Sequence, residues 1–302
     1  MTPTFDKIAV IGVGLIGGSF ALSLKRIGAV RQVVGVERTA SVLDRALQLG
    51  IVDHAASSLA EAVQDAQLVL IAAPVAQTGS ILVAIAPHLQ PGTVVTDAGS
   101  TKTDVAATAR TMLGSKIAQF VPGHPIAGRE ANGPDAALAD LYVGKKVVLT
   151  PLPENQSTTI ATVATAWELC GAAVHTLSAP QHDRIFAAVS HLPHVLAYAL
   201  VDQIDHAPDA ASLFAFAASG FRDFTRIAGS SPEMWRDIAL ANSTALLQEI
   251  DTYGTQLARL KKMLTAGDGA GLQAIFANAQ RARQDWLSAI ESIERPPKTG
   301  GD

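Results

Sequence analysis

The stretch KIAVIGVGLIGGS, residues 7–19, constrains the fold more than any other part of the chain. A β-branched apolar run meets glycines spaced G-x-G-x-x-G, at Gly12, Gly14 and Gly17, and an apolar segment of helical period follows. Gly12 permits a tight turn, Gly14 lets the backbone approach a pyrophosphate, and Gly17 lets a helix pack on a strand. The start of that helix aims unpaired N–H groups at the anion, with Leu15 and Ile16 in the turn itself. A glycine-rich turn in a nucleotide-free α/β domain shares this spacing. Glu37, twenty residues past Gly17 at the end of the next apolar run, separates the two readings. A carboxylate there holds the adenine ribose hydroxyls and repels a 2′-phosphate, which favours NAD. Arg38 follows at once and is suited to greet that phosphate, which leaves NADP open. Ala73 and Pro74, just past the third run, complete the candidate cofactor-binding set.

The pattern begun there repeats. Short β-branched runs at 7–11, 32–36, 67–72, 93–97, 117–121, 146–150 and 172–177 alternate with Ala/Leu-rich segments at 15–27, 40–49, 76–86, 102–113 and 156–170. Apolar runs without polar alternation suit strands covered on both faces. The alternation predicts an α/β fold with a doubly wound sheet. After Ser178 the strand signal stops. Ser178 and Gln181 have capping-box spacing around Pro180. Helices are expected at about 180–204, 209–217, 231–251, 253–265 and 270–293, the third opening on Ser231-Pro232-Glu233, and the tail RPPKTGGD is expected to fray. The domains are therefore 1–178 and 179–302, closely packed because no flexible linker composition separates them.

Composition closes off several classes. With 302 residues, 48% hydrophobic and 17% charged, the chain can bury a large interior. A net charge of -4 gives no basic surface for nucleic acid or an anionic membrane. A lone cysteine, Cys170, provides neither a disulfide framework nor a cysteine metal site. No basic leader precedes the first apolar run, and charges or breakers interrupt every long apolar stretch, so we expect no membrane span and a cytoplasmic home. A mean hydropathy of +0.25 points to surface hidden in an oligomer.

Three stretches carry candidate chemistry. GHPIAGRE, residues 123–130, holds His124, Arg129 and Glu130 in a loop where neither helix nor strand is expected. FAAVSHLPHVLAYAL, 186–200, puts His191 and His194 on one helical face, with Pro193 expected to kink the helix by withholding a donor from the Val189 carbonyl. Without an H-E-x-x-H pattern or a third ligand nearby, that pair is not read as a metal site. Residue types favour a histidine satisfied by backbone at His194 and leave His191 balanced between packing and function. In GFRDFTRIAGSSPEMWRDI, 220–238, Arg226 stands in an otherwise apolar segment, where a planar guanidinium suits a substrate carboxylate.

Taken together, GVGLIGGS, DAGSTK at 97–102, GHPIAGRE, SHLPH at 190–194 and FRDFTRIA at 221–228 make the chain resemble the prephenate dehydrogenase family, with its cyclohexadienyl and arogenate relatives, over almost its whole length. The resemblance implies a Rossmann-like N-terminal domain and an all-helical C-terminal domain that builds a homodimer. It implies oxidative decarboxylation of prephenate with NAD, in tyrosine biosynthesis. His124 matches the catalytic histidine and Ser100 a serine that bonds it and the substrate hydroxyl. His191 and Arg226 match substrate-binding residues, Glu130 a gating acid, and Trp235 a residue reaching the neighbouring subunit's site. The likeness is to a monofunctional form, with no fused mutase or regulatory domain expected. Prephenate and arogenate are not separated by any residue type here. A β-hydroxyacid dehydrogenase would want a lysine near SHLPH, which is absent, and a dinucleotide-sensing protein would have no use for His124, His191 and Arg226 together. An unperturbed imidazole titrates near 6.5, so kcat/KM is expected to rise through about pH 6–7.

Overall fold

The computed structural model describes residues 4–129 and 131–294; Glu130 and the tail RPPKTGGD lie outside the described residues. Contacts divide the chain into two compact units, Met1–Leu246 and Leu247–Asp302.

The first unit is built on β1 (Phe5–Ile11), β2 (Val30–Val36), β3 (His54–Ala55), β4 (Leu68–Ile71), β5 (Val94–Asp97) and β6 (Phe120–Val121). They form one parallel sheet in the order β3-β2-β1-β4-β5-β6. The order reverses beside β1, and that crevice is where open α/β sheets bind ligands. Alternate residues of β1 enter different cores. Ile8 and Val10 pack with Phe20, Leu24 and Trp167, while Ala9 and Ile11 pack with Leu82 and Ile85. Burial on both faces is why these strands read as continuous apolar runs.

The last two expected strands leave this sheet. β7 (Gly123–Pro125), β8 (Lys146–Leu149) and β9 (Ala173–Thr176) form a second one, β7 antiparallel and β9 parallel to β8. The 123–130 stretch is therefore not free of strand, as the sequence suggested. His124 pairs with Val148, and the Ile126 N–H donates to the Lys146 carbonyl. Pro125 is tolerated because β7 is an edge strand.

The first helix beyond the sheets begins as expected, with Ser178 and Gln181 in a reciprocal capping box. Pro193 leaves its mark on the helix. The chain absorbs the lost donor in a π-helical turn, Ala187–His191, where the Leu192 N–H reaches back to the Ala187 carbonyl. Helix resumes over Leu192–Asp205. The whole stretch Ala179–Asp205 is long and apolar enough to cross a membrane by length and composition alone. It carries buried His182, Asp183 and His191, each bonded to other residues of the first unit. A further short helix, Ser219–Thr225, was not foreseen.

The helix expected to run 231–251 ends ten residues early. Pro232–Ala241 stops at Asn242, and Ser243–Ala266 runs on past the expected break. Asn242 is buried, and its amide nitrogen is held by the Asp183 carbonyl (2.8 Å) and by His191 Nδ1 (3.1 Å), which fixes the break there. The second unit comprises the rest of that helix and Gly269–Glu294, joined by a turn in which Gly267 takes a φ of +65°.

Candidate active site

The nucleotide side is made of backbone. Gly12 has a φ of +93°, and a Cβ on it would meet the Ala72 carbonyl oxygen at 2.6 Å. A Cβ on Gly17 would lie 2.0 Å from the Gly12 oxygen and 2.7 Å from Val10 Cγ1. A Cβ on Gly14 would meet nothing within 4 Å, so the turn is open on the side from which a ligand approaches. The helix that follows, Leu15–Arg26, has no side-chain cap at its start, which leaves its first N–H groups for an anion. Glu37 lies at the end of β2, where its Oε1 accepts the Arg38 N–H at 2.7 Å, and the Arg38 side chain is exposed. This donor set, with an acid at the ribose position, fits NAD. Tyr142, buried, donates to the Ile16 carbonyl at 2.6 Å and ties the turn to the segment before β8.

The DAGSTK segment is locked from beneath. Asp97 and Lys102 form a fully buried ion pair. Asp97 also accepts the N–H of Gly99 at 2.8 Å and that of Gly123 at 3.1 Å. One carboxylate therefore fixes both the Ser100 loop and the start of β7. Both carboxylate oxygens accept hydrogen bonds, which helps a buried pair hold a single geometry.

His124 stands next on β7, partly buried, with its ring against Phe186. Its Nδ1 lies 2.8 Å from His182 Nε2, and His182 Nδ1 lies 2.8 Å from Asp183 Oδ1. Asp183 accepts the N–H groups of Lys102 and Thr103, each at 2.8 Å, at the start of the helix Thr103–Leu113. Burial lowers the affinity of His124 for a proton well below the imidazole norm, helped by the charges of His182, Lys102 and His191. Burial also lowers His182 against the pull of Asp183, and brings His191 down to about 4. Burial alone would raise Asp183, but hydrogen bonds from His182, Thr103 and Lys102 outweigh it and keep the carboxyl below its usual range. The acid limb of a His124-dependent rate accordingly falls below the pH 6–7 window expected of a free imidazole.

A cavity of about 470 Å³ gathers much of the expected set: Gly14, Leu15, Ile16, Ala73, Pro74, Ser100 and His124 all line it. Arg129, Asn132, Met234 and Asp237 line it too and were not assigned from the sequence. The other expected residues lie elsewhere. His191 is buried and held by Asn242, close enough to influence His124 electrostatically. Arg226 is exposed on the turn Arg226–Gly229 and acts on His194 by charge. Trp235 stacks on His194 at 3.5 Å and lines a separate recess with Tyr198 and Arg236. His194 Nδ1 donates to the Ser190 carbonyl at 2.8 Å, the backbone-satisfied state expected of it. Glu130 is outside the described residues. Sequence reasoning missed His182, Asp183 and Asn242. Only the capping box beside the first two marked their helix, and nothing local placed them at His124. Among the described residues no group of three or more metal-ligating side chains converges.

Comparison with known proteins adds a consistent set of likenesses. A family model described as "Prephenate dehydrogenase, nucleotide-binding domain" matches residues 20–176, and one described as "Prephenate dehydrogenase, dimerization domain" matches 178–278. The chain is 37% identical to a cyclohexadienyl dehydrogenase of Zymomonas mobilis, over 92% of this chain and 95% of that one. It is 35% identical to a prephenate dehydrogenase of Bacillus subtilis, over 92% and 75% respectively. The crystal structure of a prephenate dehydrogenase from A. aeolicus with hydroxyphenyl propionate and NAD+ superimposes with a TM-score of 0.87 at 35% identity, covering 93% of this chain and 98% of that one.

Proposed function

The chain belongs to the prephenate dehydrogenase family, and from that premise we propose that it is an oxidoreductase that converts prephenate to 4-hydroxyphenylpyruvate with NAD. The observation that carries this reading is that His124, whose burial holds its proton affinity well below the imidazole norm, lines one cavity with Ser100 and the open turn at Gly14.

NAD, when bound, supplies the hydride acceptor. Gly12, Gly14 and Gly17 shape its cradle, and Glu37 takes the ribose hydroxyls. His124 accepts the proton of the ring hydroxyl, and Ser100 orients that hydroxyl. Loss of hydride from the carbinol carbon leaves a carbonyl; the ring then draws the electron pair of the para carboxylate, carbon dioxide leaves, and the oxygen of the now aromatic ring takes a proton back from protonated His124. The protein's task is placement and proton removal rather than covalent catalysis. By resemblance of motifs we assign His191 and Arg226 to substrate binding, Glu130 to gating and Trp235 to the site of a second copy; His191 and Arg226 do not line the cavity described above. The relative named cyclohexadienyl dehydrogenase favours a second reading, in which arogenate is accepted as well.

A homodimer working in the cytoplasm completes the proposal. In its favour, Phe216, Phe224 and Leu240 of the first unit, and Leu257, Leu264, Phe276 and Trp286 of the second, all present large apolar side chains to solvent. Exposed side chains of this size favour a surface that another copy covers.

The test is NADH absorbance on adding prephenate or arogenate, with NAD and with NADP. Turnover with prephenate and NAD is expected, and inertness towards both acids would sink the reading. His124→Asn is expected to lose kcat by about 10³-fold at unchanged NAD affinity. Near-normal turnover in that variant would remove His124 from the role of base.

A further inference from the structure

The reading of His124 as a base leaves open which ring nitrogen takes the proton, and a neutral imidazole offers only one. We propose that His182 and Asp183 are positioning residues that settle this, holding the proton of resting His124 on Nδ1 and its lone pair on Nε2. This rests on the functional reading above and goes one step beneath it.

The direction follows from one end of the chain of bonds. The N–H groups of Lys102 and Thr103 both point into the Asp183 carboxylate, each at 2.8 Å. They stand at the start of the helix Thr103–Leu113, where the helix field favours an anion. An ionised carboxylate only accepts. The 2.8 Å bond from His182 Nδ1 to Asp183 Oδ1 therefore carries its hydrogen on the histidine. Neutral His182 then has its lone pair on Nε2. At 2.8 Å from that nitrogen, His124 Nδ1 has to be the donor. What remains on His124 is a bare Nε2, on a ring that lines the cavity.

The same order serves the reaction. When the substrate O–H bond breaks, its proton forms a new N–H bond at Nε2 of His124. The Nδ1–H of the resulting imidazolium stays on His124, donated to His182 Nε2, and the new positive charge faces the Asp183 anion across one ring. No proton needs to move along the chain. Take the middle ring away, and Nδ1 of His124 loses the acceptor that holds its hydrogen there. The tautomer with the hydrogen on Nε2, useless as a base, then becomes available. His182 is fully buried and packs against Phe186, so water does not replace it at that place in the native protein.

The experiment compares wild type with His182→Gln and His182→Leu. The terminal oxygen of glutamine accepts from His124 Nδ1 in place of the ring nitrogen, whereas leucine accepts nothing. Ring-nitrogen NMR of isotope-labelled histidine, on protein without substrate, reads the tautomer directly, and His124→Asn identifies the signal. We expect the Nδ1–H form in wild type and in His182→Gln, and a shift towards Nε2–H in His182→Leu. With prephenate and NAD, kcat is expected to fall on the order of 10²-fold in His182→Leu and to return to within about tenfold of wild type in His182→Gln, at unchanged NAD affinity in both. Wild-type His124 in the Nε2–H form would overturn the proposal, as would equal kcat losses in the two variants. Should leucine unfold the protein, the wild-type tautomer decides alone. Inertness of wild type towards prephenate would sink the functional reading and leave the tautomer result standing.

Discussion

The cavity has two walls built on different terms. Around Gly12, Gly14 and Gly17 the wall is main chain, and what matters is the absence of side chains. Around His124 it is a side chain backed by buried polar partners, His182 and Asp183, the latter held by the backbone N–H groups of Lys102 and Thr103. The first wall is specified by six consecutive residues. The second needs residues that lie 58 and 81 positions apart in sequence. A backbone wall tolerates no added atom at its packed points, while a side-chain wall tolerates no lost partner.

The sharpest way to break that contrast is to add one methyl to the first wall. Gly17→Ala forces a Cβ against backbone at 2.0 Å, where nothing flexible can yield. We expect a loss of ~3 kcal/mol or more in urea unfolding. The companion Gly14→Ala meets open space and should unfold within about 0.5 kcal/mol of wild type, yet bind NAD roughly tenfold more weakly. Equal stabilities for the two variants would contradict the packing described here.

Next in size is the effect of acid on the second wall. The folded protein holds His124, His182 and His191 below their unfolded affinity for protons. Between the unfolded value, near 6.5, and the folded one the unfolded chain binds more protons, so stability falls as pH drops. It is whole above about pH 6.5. For His191, folded value about 4, the contribution lost by pH 5 is ~2 kcal/mol. Unfolding free energies measured at pH 7 and pH 5 test this, and a flat profile would mean that the histidine wall is wet.

The smallest change concerns the acid beside the backbone wall. Glu37→Gln keeps a hydrogen-bonding group but removes the charge, while Arg38 remains. NAD should bind about threefold to tenfold more weakly and NADP more tightly, by titration of cofactor fluorescence. An unchanged ratio of the two affinities would take Glu37 out of the ribose contact.

The same contrast explains what could be read from the sequence. The glycine turn, the strands it connects and the capping box at Ser178 depend on near neighbours, and each stands where expected. His124 and Ser100 were legible through resemblance of whole motifs, not through local periodicity. Three features escaped because distant residues make them. Gly123–Pro125 is a strand only because Lys146–Leu149 lies beside it. The helix break at Asn242 is fixed by Asp183 and His191. His182 and Asp183 look like ordinary polar residues after a cap until the fold brings β7 to them. Pro193 was noticed, but the form its effect takes, a π turn, depends on how the next turn of backbone redistributes its bonds.

Asp183 has one more consequence, for motion. Its carboxylate occupies the first two N–H groups of the helix that follows the Ser100 loop, while its own backbone carbonyl grips Asn242. One residue thus ties the start of that helix, its own helix and the break at Asn242 together within the first unit. Any local motion that pulled these segments apart would also break the chain of bonds from Asp183 through His182 to His124.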